Sequence, residues 1–196
     1  YYENAEYVTA REIFKELLQK YPNADFSKLV AIRLGDFLRD EGKEDEAIKA
    51  YQNAISSYSR EIALVGKLRI ANIQAKRPYS DEYLEALKVY QEITNLYPET
   101  PQAEEAMLRK GLTLTQYGLF TSAIITLEEF MQKYPQNIYV KRNLIQENID
   151  ENLKGLIDRH FREGDYFDLV SAYNEYKAKY LFNFRFDTTL FQTATA

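Results

Sequence analysis

His160 is the only histidine in the chain, and there is no cysteine. A zinc site would therefore need three carboxylates or waters around one imidazole. Disulfides, thiolate clusters and cysteine nucleophiles are excluded. Carboxylates are plentiful, and the adjacent pairs Glu104-Glu105 and Glu128-Glu129 invite a reading as acid and base. Glycosidase-type chemistry, however, holds its two carboxyls about 5–9 Å apart across a cleft. Helix neighbours point about 100° apart, so neither pair makes a site alone and both read as solvated faces. No Gly-rich phosphate loop or Gly-x-Ser-x-Gly elbow occurs. Catalytic, metal and cofactor sites are not expected. What remains is a surface suited to holding a ligand rather than converting it.

The elements that would carry such a surface are written in the spacing. A small residue, an aromatic or leucine four positions on and a tyrosine eleven positions on recur along the chain. They appear as Ala10, Phe14, Tyr21; Ala47, Tyr51, Tyr58; Ala86, Tyr90, Tyr97; and Ala123, Leu127, Tyr134, with Leu169, Tyr173, Tyr180 as a looser copy. The offsets are 37, 39, 37 and 46 residues, which marks an array of similar units. Pro22, Pro98 and Pro135 follow three of the tyrosines, where a helix must stop. Gly42, Gly118 and Gly164 each stand five residues before an anchor and supply the positive φ that ends the preceding helix. In the second unit the turn is longer, with Pro78 as a stop and Ser80 as a start signal.

Between these marks apolar residues step by three and four: Ala31, Leu34, Gly35 and Leu38, then Met107, Gly111 and Leu114. Each unit is therefore an antiparallel helix pair. Gly35 with Ala47, or Gly111 with Ala123, is the expected close crossing of its two helices. The recurring tyrosines at the ends of second helices suit half-buried sites with the hydroxyl toward water. The chain reads as one array over residues 1–196, with full pairs at 23–58, 59–97, 98–134 and 135–180. Partial units are expected at 1–22 and 181–196. Neither end resembles a natural cap, so an excerpt of a longer array is expected.

Composition narrows the partners. A formal charge of −5 argues against nucleic acid, which calls for a basic stripe. No apolar run approaches the roughly 20 residues of a membrane span. Seven glycines, five prolines and 45% apolar residues fit a folded domain rather than a disordered one.

With Leu34-Gly35, Gly42, Ala47 and Tyr51 in one unit and Gly111, Gly118, Phe120, Ala123 and Pro135 in another, the chain resembles a tetratricopeptide-repeat protein. The resemblance implies an all-α, right-handed superhelix of antiparallel helix pairs. It is less like the pentatricopeptide arrays, which bind RNA. The Tyr-Pro endings are similar to those of repeats in bacterial envelope proteins, which would favour an envelope or periplasmic setting.

The family's fold implies a concave wall lined by one face of each first helix. Its register gives Leu29, Ile32, Asp36 and Arg39 in the first full unit, Arg69, Ile73 and Lys76 in the second, and Glu105, Leu108, Leu112 and Thr115 in the third. Arg33 and Arg109 stand one residue beside that stripe. Some members grip a peptide's terminal carboxylates with an Asn and Lys clamp, but Asp36 and Ile32 occupy those positions here. The implied role is a non-catalytic scaffold holding a protein or peptide on the concave face. The alternative is a structural spacer that self-associates through its repeat ends or the extended helix of its fourth unit. That unit departs from the pattern: Ile157 and Leu169 replace the small pair, which predicts a wider crossing. Its first helix is expected to run over 138–162, about 13 Å longer than the others. His160 falls in register with Leu38 and Leu114, a core or partly buried place.

Overall fold

A computed structural model of the chain describes residues 2–22, 24–57, 59–77 and 80–179. Tyr58, Pro78, Tyr180 and the partial unit expected over 181–196 lie outside them. The described residues form ten helices and no strand. α1 (Tyr2–Lys20) precedes three pairs: α2 (Asp25–Asp40) with α3 (Glu44–Ile55), α4 (Arg60–Gln74) with α5 (Glu82–Leu96), and α6 (Pro101–Gln116) with α7 (Phe120–Lys133). A short α8 (Ile138–Lys141), α9 (Leu144–Glu163) and α10 (Tyr166–Lys179) follow.

Local chemistry sets the ends. Thr100 accepts a hydrogen bond from the Ala103 amide at 3.2 Å, and Pro101 occupies the first helical position of α6, where a missing N–H costs nothing. Ser27 is buried and donates to the Tyr21 carbonyl, which fastens the Tyr-Pro turn to the start of α2. Gly42, Gly118 and Gly164 all adopt left-handed φ, between 68° and 77°, at the ends of first helices. Their turns bring α3, α7 and α10 back against α2, α6 and α9, so the pairs are antiparallel.

From α1 to α7 each helix packs on the next in sequence, and α7 then meets α9 rather than the short α8. First helices also touch each other directly: α2 with α4, α4 with α6, and α6 with α9. First helices therefore form a continuous inner layer, as an α-solenoid requires. Ala47 and Tyr51, Ala86 and Tyr90, and Ala123 and Leu127 are all fully buried where each second helix meets its first.

The close crossing differs from the small-to-small contact expected. A Cβ added at Gly35 would lie 2.4 Å from the Tyr51 ring, and one at Gly111 would lie 2.5 Å from Leu127. Glycine opens a socket for the large side chain four residues beyond the alanine, not for the alanine itself. The fourth unit also differs. Asn143 takes φ 62° and breaks the expected long helix into α8 and α9; asparagine tolerates this conformation better than most residues. α9 begins 20 residues before Gly164, whereas α2 and α6 begin 17 before Gly42 and Gly118. Only three residues are gained, about 4.5 Å, and no 13 Å lip results. In this unit the socket has moved to Gly155, where an added Cβ would meet the Phe120 ring at 2.4 Å.

Gly35→Ala is expected to lower stability by about 1–3 kcal/mol through overpacking. Alanine's advantage in a helix, about 1 kcal/mol, offsets only part of that. Urea unfolding of the two proteins measures it, and an unchanged midpoint would mean that the Tyr51 ring moves aside freely.

Candidate functional site

Two neighbouring depressions open on the inner layer. One, of about 330 Å³, is lined by Arg39 of α2, by Arg69, Asn72 and Ile73 of α4 with Lys76 just beyond, and by α6. The other, of about 300 Å³, lies between the first half of α6 and residues 137–139. Arg109 and Leu112 line both, so together they form one groove. Its floor is α6: Pro101, Glu105, Leu108, Leu112 and Gln116 follow each other at helical steps along it.

Of the sequence-predicted residues, Arg39, Arg69, Ile73, Lys76, Glu105, Leu108, Arg109 and Leu112 line this groove. Ile32 does not. It is 5% exposed and packs in the core with Leu34, Leu38 and Tyr51. Leu29 and Arg33 are exposed but do not line either depression. Asp36 lies behind the lining and acts through it. Asn72, Thr113, Gln116, Asn137 and Tyr139 line the groove without having been singled out. Asn72 had a signal: it stands 37 residues after Gly35, a polar group where the repeat asks for glycine.

A polar chain crosses the inner layer. The Tyr51 hydroxyl donates to Asp36 Oδ1 at 2.8 Å. The same oxygen lies 3.2 Å from Arg39 and 3.3 Å from Arg69 Nε. Arg69 also approaches Glu105, at 3.4 Å. Asn72 donates to Glu105 at 3.1 Å and accepts from the Tyr90 hydroxyl at 2.8 Å. Three first helices are thus joined through side chains. Farther along, Asn152 of α9 is fully buried and donates to Thr115 of α6 at 2.8 Å.

Guanidiniums and amides stand in the groove beside apolar Ile73, Leu108 and Leu112. His160 is partly buried in α9; it, Asp165 and Asp168 each place one ligand atom within 4.8 Å of the others. The Asp165 carboxylate already accepts from the Asp168 amide at 3.3 Å, so its role there is to cap α10. The recurring tyrosines vary: Tyr97 and Tyr134 are half-buried, whereas Tyr21 is 43% exposed.

Burial raises both phenols, Tyr51 and Tyr90, well above the usual tyrosine range, and hydrogen bonding to Asp36 adds to this for Tyr51. An unfolded chain loses these protons near pH 10 while the folded chain keeps them. Their contribution to stability is therefore complete below about pH 10 and is lost progressively above it. In an absorbance titration at alkaline pH, two tyrosines should stay un-ionised until the helical signal collapses. Tyr51→Phe and Tyr90→Phe should each remove one from that late step; ionisation of all tyrosines before unfolding would contradict the burial.

A family model described as a tetratricopeptide repeat matches residues 1–24 and 105–137. The first stretch takes in α1 and the Tyr21-Pro22 turn; the second takes in most of α6, all of α7 and the Pro135 turn. No curated protein matches the chain significantly.

Proposed function

Because this chain is a tetratricopeptide-repeat protein, we propose that it is a non-catalytic scaffold that holds an extended segment of a partner protein in the groove along α6. Repeats of this family generally mediate protein–protein interaction, and stacked units create extended concave surfaces by their geometry. The observation that carries the reading is the groove itself: a floor from α6 with apolar Leu108 and Leu112, cations and amides beside it, and walls from α2, α4 and residues 137–139. Charge-assisted hydrogen bonds from Arg39, Arg69 and Arg109 suit carboxylates or carbonyls of a bound chain. No helix among the described residues is long and apolar enough to cross a membrane.

A photoreactive residue at Gln116 in the groove should cross-link a partner in the native cell. The same residue at Ile125, exposed on α7, should not. Cross-linking from 125 alone would move the site to the outer layer.

A second reading, self-association through a repeat end, is favoured by one feature. Tyr166, Phe167 and Val170 of α10 are 60%, 84% and 55% exposed, and Phe161 stands beside Tyr166 with ring centres 6.3 Å apart. Exposed apolar groups grouped in this way mark contact surfaces. If they join copies, sedimentation should show mass rising with concentration, and Phe167→Ser should abolish the rise. A constant monomer mass for both proteins would end this reading.

A further inference from the structure

The groove's charges are not equally available. Three guanidiniums, Arg39, Arg69 and Arg109, face three carboxylates, Asp36, Asp40 and Glu105, at 2.8 to 3.7 Å. That central set is already neutral. Glu44, at the rim, is held by Arg77 at 3.6 Å. Lys76 and Glu104 differ from these. Both line the groove, and neither has an ion pair among the described residues; Glu104 accepts a hydrogen bond from the Asn137 amide at 2.6 Å.

These two spare charges stand at opposite ends. Lys76 shares its depression with Gln116, the last residue of α6, whereas Glu104 lies in the first turn of α6. The distance along α6 from Glu104 to Gln116 is about 18 Å at about 1.5 Å per residue. Leu108 and Leu112 lie between them on the floor.

Resting on the reading of the groove as a peptide site, we infer that its occupant is a bipolar extended segment. It would place an acidic side chain at Lys76, an apolar one over Leu108 and Leu112, and a basic one at Glu104. About 18 Å at roughly 3.3 Å per residue sets the two charges five or six positions apart. A uniformly acidic segment would press a carboxylate against Glu104, and a uniformly basic one would meet Lys76. Such like-charge contacts discriminate against wrong partners in addition to the attraction that selects the right one. The same placement also complements helix dipoles, with a cation beyond a C-terminus and an anion in a first turn. Helix stability alone therefore does not separate a ligand-binding role from a structural one, and peptide binding must be measured.

The test is fluorescence anisotropy with the full chain and three labelled, capped heptapeptides. The first has two acidic residues, alanine, leucine, alanine and two basic residues. The second has the same composition with the charges alternated, and the third carries only acidic charges. The bipolar peptide is expected to bind at least about fivefold tighter than either control, the scale of one or two partly exposed charge pairs. Lys76→Glu and Glu104→Lys should each weaken it by about tenfold. The double variant should recover much of that loss by accepting the peptide end for end, which a merely structural pair of charges would not produce. Circular dichroism checks that all variants keep their helicity. Equal affinity for the alternated peptide, or bipolar binding that is indifferent to Glu104→Lys, overturns the inference. If the acidic peptide binds best and is lost in Lys76→Glu, the groove reading survives without the bipolar one. If no peptide binds saturably, or none responds to either substitution, both fall.

Discussion

The architecture depends on burying one large side chain per unit at the crossing of two helices. Tyr51, Tyr90 and Leu127 occupy that place and are fully enclosed. Burial of an aromatic or leucine side chain contributes about 1.5–3 kcal/mol, and in two of the three units it comes with a condition. A phenol brings a hydroxyl into the interior, and leaving it unpaired would cost a comparable amount. Asp36 and Asn72 meet that condition. Once they are fixed, Arg69 and Glu105 follow, because Asp36 holds one and Asn72 the other. The polar lining of the groove is thus an outgrowth of core packing. The third unit shows the converse: Leu127 has no hydroxyl, and the neighbouring Leu112 leaves the groove floor apolar there.

How much of this was legible in the sequence follows from the same constraint. Repeating features were readable because each unit must solve the same packing problem. The small residue, the aromatic four positions on and the turn glycines therefore return in register. The partner within the crossing was misread because spacing gives positions along a helix but not the depth to which a side chain reaches. Tyr51 extends past Ala47 to the Gly35 backbone, and only the three-dimensional contact shows it. Ile32 was misplaced for a related reason. A lining stripe and a core stripe are neighbours on one helix, and a rotation of part of a turn moves a residue between them. Its apolar character agreed with the core all along.

The fourth unit was the least readable. Helical periodicity continues through residues 138–162, and no proline or glycine interrupts 138–154. The break falls on Asn143, a residue that takes a left-handed conformation without requiring it. Gly155 was likewise silent, because its partner Phe120 belongs to the preceding unit rather than to its own. Contacts between units do not repeat as faithfully as contacts within them. Arg159 illustrates this: it stacks over Phe120 at 4.7 Å and donates to the Gly118 carbonyl at 2.6 Å, so the turn of one unit is tied to a helix of the next.

Such ties bear directly on what the groove can do. α6 forms its floor and is anchored on one side by Arg69 and Asn72 through Glu105, and on the other by Asn152 through Thr115. Behind it, Gly111 lets Leu127 press close. A floor held on three sides would lose little conformational freedom to a ligand of the kind proposed, and the ordering cost would fall almost entirely on that ligand. The guanidiniums are held by the same contacts, so their hydrogen-bonding directions are set in advance. In a solenoid, where each unit touches only its neighbours, side-chain links between first helices are what keep the spacing of such donors constant from one unit to the next. The polar chain that began as a remedy for buried hydroxyls therefore also fixes the geometry of the hydrogen-bonding groups along the inner face.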